Sequence, residues 1–339
     1  MSVGIDIGSK TIKIVELNKE GPKWKLRASG VIGYKGNPPE YITDEKEYSV
    51  LAEIIKKLHK EAKISSKKVN ISLPETQVFT RTIKFPLLTD SEIASAVRWE
   101  AEQYIPIPIA DAVVQHQIVE RREKTSPPQA IVLLVAAPKS LVEKYVKVIH
   151  MAGLMPLALE PDLMALVRSL ALAERTVVMV DFGARSTNIA IAKNAQLAFS
   201  RSIPTAGEAF TRAVAQVLGV EQQQAEQYKK SYGLSSKQLE GKIKVAIEPV
   251  FRMVVDEIRK AIHFYQTEEG GGDKPTSVIL SGGTSGMPEV VNYLTRILGL
   301  EVVVGNPFMK VAVDPKVAQT LSTYSPLYST AVGLAMREN

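Results

Sequence analysis

The chain contains no cysteine, so disulfides, thiolate nucleophiles and cysteine-based zinc or iron–sulfur centres are excluded. Histidine is scarce. His59, His116, His150 and His263 are isolated, lack metal-ligand spacing, and read as surface or packing residues. Long hydrophobic runs are missing too. The longest, residues 130–137, falls far short of the ~20 residues a bilayer crossing needs. No basic segment with a cleavage site opens the chain, so no signal peptide is expected and the default compartment is the cytoplasm. Neither a Walker A loop nor a Gly-x-Gly-x-x-Gly fingerprint occurs. Basic residues interleaved with aromatics form no stripe, so nucleic acid is not an expected partner.

What remains is an ordinary globular composition. The chain has 339 residues, 45% hydrophobic and 23% charged, with a net charge of +6. That length suits about two domains. The mild positive balance favours an anionic surface or an acidic partner without specifying either.

Residues 2–17 read as two strands around a Gly-Ser turn, with a partner strand over 23–34. Helical spacing covers 45–62, and strands follow at 68–73 and 78–85. A capped helix from Ser91 to Tyr104 is stopped by Pro106 and Pro108. Strands at 112–120 and 130–137 and a helix at 141–151 complete a small α/β insertion. A second beginning comes at 176–182, with strands at 187–193 and 197–203. Helices then dominate to 268, where the run Gly270-Gly271-Gly272 ends them. The expected boundaries are 1–85 and 154–174 for a first half interrupted by an insertion at 86–153. The second half is expected at 175–206 and 271–339, interrupted by a helical block at 207–270.

Two segments nearly repeat. Val3-Gly4-Ile5-Asp6-Ile7-Gly8-Ser9 and Val178-Met179-Val180-Asp181-Phe182-Gly183-Ala184 share an apolar strand, Asp, apolar, Gly, small pattern. Each Asp ends a buried strand before a glycine turn whose backbone N–H groups can approach a phosphate. Asp6 and Asp181 are therefore candidate ligands of a hydrated Mg²⁺, which typically takes one or two carboxylates plus phosphate oxygens. Lys13 can point back at the phosphates, and Ser9, Ser186 and Thr187 add hydroxyls. A third element, Ile279-Leu280-Ser281-Gly282-Gly283-Thr284-Ser285, reads as strand, Gly-Gly turn and helix N-terminus.

The order of these elements resembles the actin-like ATPase superfamily, over almost the whole chain. That resemblance implies an α/β, ribonuclease H-like fold: duplicated halves around a nucleotide cleft, with ATP and Mg²⁺ as cofactors. Gly8, Ser9, Lys10 and Lys13 fall in the first phosphate motif, and Gly183, Arg185, Ser186 and Thr187 in the second. Gly282, Gly283 and Thr284 fall in the adenosine motif. Glu226 and Lys229 match the superfamily's Ala-Glu-x-x-Lys, and Gly207 marks the turn before Glu208. In Leu159-Glu160-Pro161-Asp162, similar to the first inter-domain connection, Glu160 is the candidate to orient water, with Asp6 as the other catalytic candidate. Residues 329–335 resemble the second connection. Two departures, Ala184-Arg185 in place of Gly-Gly and the single Gly207, weigh against efficient turnover, so at most weak ATPase activity is expected.

Within the superfamily, Trp99-Glu100-Ala101-Glu102-Gln103-Tyr104-Ile105-Pro106-Ile107-Pro108 closely resembles the PilM family of type IV pilus assembly. The resemblance implies a cytoplasmic adaptor, peripheral to the inner membrane through partners. It would bind the N-terminal cytoplasmic tail of PilN near the insertion, within an inner-membrane pilus complex, with nucleotide setting the cleft. The resemblance also implies a chain without the terminal amphipathic helix of the related FtsA proteins. A small-molecule kinase and an FtsA- or MreB-like filament protein are the alternative expectations.

Overall fold

The computed structural model describes residues 1–267 and 273–338, so the Gly270–Gly272 run and the expected 270/271 boundary lie outside the described residues. The chain opens with β1 (Ser2–Ile7), β2 (Thr11–Glu20), β3 (Lys23–Gly33), α1 (Glu45–Glu61) and β4 (Lys68–Leu73). Next come β5 (Phe79–Pro86), α2 (Asp90–Tyr104), β6 (Ala112–Arg122) and β7 (Gln129–Pro138). They are followed by α3 (Lys139–Met151), β8 (Met155–Pro161) and α4 (Asp162–Leu170). The second part holds β9 (Thr176–Phe182), β10 (Thr187–Lys193), β11 (Gln196–Ile203), α5 (Gly207–Leu218), α6 (Gln222–Tyr232) and α7 (Lys242–Thr267). It ends with β12 (Ser277–Ser281), α8 (Val290–Leu298), β13 (Glu301–Val304), β14 (Val311–Ala312), α9 (Pro315–Ser322) and α10 (Ser329–Ala335).

Two sheets repeat one topology. The first runs β14-β3-β2-β1-β4-β8 and the second β11-β10-β9-β12-β13. In both, two antiparallel hairpin partners precede two parallel strands. Within these mixed sheets the central strands β1, β4, β9 and β12 are buried along most of their length, which is why they are the most apolar. Alternate residues serve different cores. Val178, Val180 and Phe182 of β9 pack under α5, α6 and α7, whereas Val177 and Met179 meet α4.

The connection helices are exchanged between the halves. The helix α4 follows the first sheet but packs on the second, through Leu163, Leu166 and Val167 against Val177 and Met179. Conversely, α10 follows the second sheet and covers Val15 and Leu17 of the first. The two helices cross in backbone contact. A Cβ on Gly333 would lie 1.8 Å from the Ala165 carbonyl oxygen, and one on Gly4 would lie 2.2 Å from the Ala331 carbonyl oxygen. Those glycines are required by close approach, not by backbone torsion.

The insertion differs from the expected 86–153 segment. Its three-stranded sheet runs β5-β7-β6, and all of β5 pairs with β7, so it begins at Phe79. The helix α3 sends Leu141, Tyr145, Val148 and Ile149 into the first-half core. Pro86 misled the boundary, since it ends an edge strand and not a domain. The helical block likewise shares one core with the second sheet, through Phe210, Phe251 and Val254 beside Val180. The α2 helix is capped by Thr89 in a capping box with Glu92. Neither β8 nor β13 is expected from the sequence: β8 carries a proline near each end, and β13 is only four residues long.

Gly333→Ala should lower the unfolding free energy by about 2–3 kcal/mol, because it overpacks two backbones. Gly33→Ala, where an added Cβ meets nothing within 4 Å, should change it by less than about 0.5 kcal/mol. Urea titration of both variants checks the crossing.

Candidate functional site

Strand parity positions the site. In β1, Val3, Ile5 and Ile7 sink into the first-half core, so Gly4 and Asp6 point to the α10 side. In β9, Asp181 shares the α4-facing side with Val177 and Met179. Each aspartate thus lies on the inner face of its own sheet, at the carboxyl end of a central strand. Open parallel sheets bind ligands at that end.

The duplicated hairpins are chemically unequal. Register places Asp6 opposite Lys13 and Asp181 opposite Asn188. Lys13 Nζ donates to Asp6 Oδ2 at 2.9 Å, and Ser72 Oγ reaches Asp6 Oδ1 at 3.4 Å. Asn188 carries no charge and donates instead to Asp162 Oδ2 at 3.2 Å. Asp181 therefore has no cation of its own. Burial raises its carboxyl to about 6, the charge of Asp6 adds to this, and Lys13 and Ser281 oppose it. That Asp6 and Lys13 act on Asp181 puts both acidic turns in one crevice.

The surrounding turns close on the same place. Gly8 N–H donates to Thr11 O and Gly183 N–H to Ser186 O, each at 3.1 Å, which makes matched tight turns. Gly207 N–H donates to Gly183 O at 3.2 Å. A Cβ on Gly207 would lie 2.9 Å from Thr284 Oγ1 and 3.4 Å from Lys229 Nζ. Gly282 has φ +80°, and a Cβ there would lie 2.4 Å from Phe182 O and 2.9 Å from Asp181 Oδ1. At the mouth, Lys10 Nζ meets Glu208 Oε1 at 2.9 Å, with Arg185 Nε at 3.9 Å from the same oxygen. The two halves are thereby joined across the opening.

Lys229 is buried and donates to Gly207 O and Thr211 Oγ1 at 2.9 Å and to Glu226 Oε2 at 2.6 Å. Burial lowers its ammonium below the usual range. Burial alone would raise Glu226, but the hydrogen bonds from Lys229 and Thr211 outweigh it and hold the carboxyl low. Asp6, Gly8, Lys10, Lys13, Asp181, Gly183, Arg185, Gly207, Glu226, Lys229, Gly282 and Thr284 are therefore linked around one crevice. Ser9, Ser186 and Gly283 lie on the same turns.

Three expectations need correction. The Thr187 hydroxyl is fully buried and donates to Thr205 O at 2.7 Å, so it holds the turn and faces no ligand. Gly283 opens a 3-10 turn and α8 starts only at Val290, so no α-helix N-terminus faces the Gly-Gly turn. Glu160 does not orient water. Its carboxylate is 3% exposed and accepts from Arg168 Nη1 and Nη2 at 2.6 and 2.7 Å and from Arg337 Nη1 at 2.6 Å. Arg168 Nη1 also donates to Gly333 O at 2.8 Å, so Glu160 fastens the crossing of α4 and α10.

Two acids were missed. Asp162, two residues beyond Glu160, is the carboxylate that feels Asp6 and Asp181. Burial raises it well above the usual range, followed by the charges of Glu75, Asp181 and Asp6. Glu75 is raised by burial to about 7. A common signal was available: β1, β4, β8 and β9 each carry a carboxylate at or just past their carboxyl ends.

The family model described as type IV pilus assembly protein PilM matches residues 4–339. The chain belongs to the PilM family of type IV pilus assembly proteins. A solved PilM-PilN type IV pilus biogenesis complex is 29% identical, covers 99% of this chain and 98% of that one, and superposes with TM-score 0.84. MreB5 of Spiroplasma citri, solved with AMPPNP, is 13% identical and covers 98% of this chain and 93% of that one, with TM-score 0.56. It shares the actin-like fold. FtsA of Bacillus subtilis is 24% identical over 276 residues, which is 69% of this chain and 58% of that protein. The chain thus spans little more than half the length of that relative. No helix among the described residues is long and apolar enough to cross a membrane.

Glu160→Gln in this PilM-family chain should cost about 2–4 kcal/mol of unfolding free energy. The value lies below that of a fully enclosed pair because Arg168 and Arg337 are each about a third exposed or less. Wild-type urea stability would place Glu160 in the cleft after all.

Proposed function

We propose that this PilM-family chain is an ATP-binding adaptor of type IV pilus assembly that holds the N-terminal cytoplasmic tail of PilN. The carrying observation is the convergence of Asp6 and Asp181, one cation short, beneath glycine turns that leave room for phosphates. Among the described residues no three ligating side chains gather into a chelate. Asp6 and Asp181 would hold a hydrated Mg²⁺ of the kind that typically takes one or two carboxylates. The bound cation supplies charge neutralisation of the phosphates and of the two acids.

Inside the two turns, whose Gly8 and Gly183 N–H groups close the turns themselves, the backbone N–H groups of Ser9, Lys10, Ala184 and Arg185 would serve as phosphate donors, with Lys13 as the nearby cation. Gly207, Gly282, Gly283 and Thr284 form the nucleoside side, and Lys229 with Glu226 sets its wall. Glu160 is committed to the hinge, and burial pushes the Asp162 carboxyl well above the usual carboxylate range, so the residues favour retention of nucleotide over turnover. The match to a pilus assembly family runs against the kinase reading.

The same assignment places the PilN tail on the inserted subdomain, outside the cleft. Ile105 is buried in the insertion core, whereas Trp99 on α2 is 76% exposed. A large aromatic standing in solvent beside Glu100 and Glu102 is a natural anchor for a peptide. Localisation at the inner membrane then follows from the partner and needs no anchor of its own. Nucleotide alters tail affinity only to the extent that the tail discriminates between cleft states.

Calorimetry with Mg-ATP should show Asp6→Ala and Asp181→Ala each binding at least about tenfold more weakly, equivalent to ~1.4 kcal/mol. Wild-type affinity in both would remove the cleft assignment. Fluorescence anisotropy with a labelled PilN tail peptide should show Trp99→Ala weakening capture by about tenfold or more, while Mg-ATP binding is retained. Unchanged capture would move the tail to another surface.

A further inference from the structure

Much of the positive charge that the nucleotide assignment leaves unused is gathered in one place. Residues 56–68 hold six lysines, Lys56, Lys57, Lys60, Lys63, Lys67 and Lys68, against one acid, Glu61. All six are exposed. Lys56 lies 3.1 Å from Glu53, and Lys57 lies 3.8 Å from Glu61. Among the described residues Lys60, Lys63, Lys67 and Lys68 have no acidic partner. The fold brings them together. Lys60 is in the last turn of α1, Lys63 lies just past it, and Lys68 opens β4. That is the amino end of β4, whereas Ser72, which reaches Asp6, is near its carboxyl end. The lysines therefore gather at the opposite end of the sheet from the crevice. Met155 opens β8 at the same end, opposite Lys68 in register, and donates its N–H to Lys67 O at 2.8 Å. It is 52% exposed.

The loop that carries these charges is fixed by other groups. The buried Glu16 carboxylate accepts from Ser65 N–H at 3.2 Å, from Ser66 N–H at 3.1 Å and from Ser65 Oγ at 2.6 Å. His59 Nε2 donates to Ser66 O at 2.9 Å. The α1 dipole accounts for His59 and Lys60 in the last turn, but not for Lys67 and Lys68 beyond it. Lys63 is the sharper case. The helices α1 and α3 end alike: Ala62 and Ala152 both have φ −74° and ψ −2°, and a residue of positive φ follows each. Matching backbone bonds close both turns, Ile64 N–H to His59 O and Leu154 N–H to Ile149 O, each at 3.1 Å. After α3 the residue of positive φ is Gly153, and after α1 it is Lys63, at φ +54°. A lysine thus stands where the sister turn uses glycine, against backbone preference and with no internal partner for its charge.

We propose that this lysine face docks the chain on an anionic lipid surface. The field of a charged bilayer is diffuse, so it calls for several cations on one exposed face and no enclosed pocket. Lysines suit it as compact point charges, whereas bidentate readout of phosphates or bases calls for the guanidinium fork. Arg27, beside the loop, is already engaged by Glu16 at 3.3 Å. Met155 adds an apolar side chain that can enter the headgroup layer. Such a contact is reversible and weak by itself, so it orients the chain and does not replace capture by a membrane partner. It turns the amino ends of β4 and β8 to the bilayer and leaves the crevice open to nucleotide. The contact goes beyond the nucleotide and PilN reading, since it needs neither ligand.

Co-sedimentation of the full chain with vesicles, without nucleotide or PilN peptide, tests the contact. The protein should pellet with equimolar phosphatidylglycerol and phosphatidylcholine vesicles and stay in solution with phosphatidylcholine alone. Raising salt from about 0.05 M to about 0.5 M should release it, because screening then acts within a few ångströms. A variant combining Lys60→Gln, Lys63→Gln, Lys67→Gln and Lys68→Gln should bind at least about tenfold more weakly. A control of equal net charge combines Lys46→Gln, Lys124→Gln, Lys237→Gln and Lys316→Gln, which are exposed elsewhere. It should stay within about twofold of wild type, because charges beyond a Debye length contribute little. Lys63→Gly alone separates this role from a structural one. It should hold or raise the urea midpoint and still weaken vesicle binding about fivefold. Absence of wild-type binding to the anionic vesicles at low salt, or a four-lysine variant no weaker than its control, would overturn the proposal. Tighter capture of polyuridylate than of vesicles, lost in the same variant, would overturn it too and assign the face to nucleic acid. No outcome bears on Asp6 and Asp181 or on the PilN tail, so those assignments stand or fall separately.

Discussion

The architecture is organised around one electrostatic constraint. Asp6 and Asp181 end the central strands of two sheets and meet in one crevice, where the nearby cation, Lys13, is already paired with Asp6. Two half-buried acids beside one lysine make the site that, in our proposal, a divalent cation would complete. The duplication explains how such a site arises: the same strand–turn unit occurs twice and faces itself. It also explains the inequality, since Lys13 and Asn188 occupy the same register opposite their respective aspartates. One copy neutralises its acid, and the other turns its side chain to Asp162.

That crevice has a fixed floor because the halves exchange their connection helices. Gly333 allows α10 backbone contact with α4, Gly4 lets α10 lie against β1, and Glu160 ties α4 to α10 through two guanidiniums. A carboxylate at this position is thereby spent on geometry. The mouth is held by Lys10 and Glu208. The inserted subdomain is stitched to the second half through Thr80 and Thr82.

Much of this was legible in the residues. The repeated Asp-x-Gly turns gave both acids, and helical and strand periodicity placed most elements within a few residues. Misassignments have physical causes. Pro86 looks like a boundary but sits at the end of an edge strand, and α3 rejoins the first-half core through Tyr145 and Val148. Motif position favoured Glu160 over Asp162, although the chain turns from β8 into α4 between them and so sends the two carboxylates to different places. Glu75 carries no motif at all. Its burial follows from the contact of β5 with β11, a pairing of distant segments that no local pattern encodes. Thr187 resembles a ligand hydroxyl until its partner, the Thr205 carbonyl, is seen.

The central claim is that the two acidic turns grip one metal-bound nucleotide. Crystals grown with Mn²⁺ and a non-hydrolysable ATP analogue, measured at the manganese edge, test it most directly. A single anomalous peak between the carboxylates of Asp6 and Asp181, beside the phosphates, is the expected result. A peak elsewhere, or nucleotide bound with no metal between those two side chains, would contradict the account.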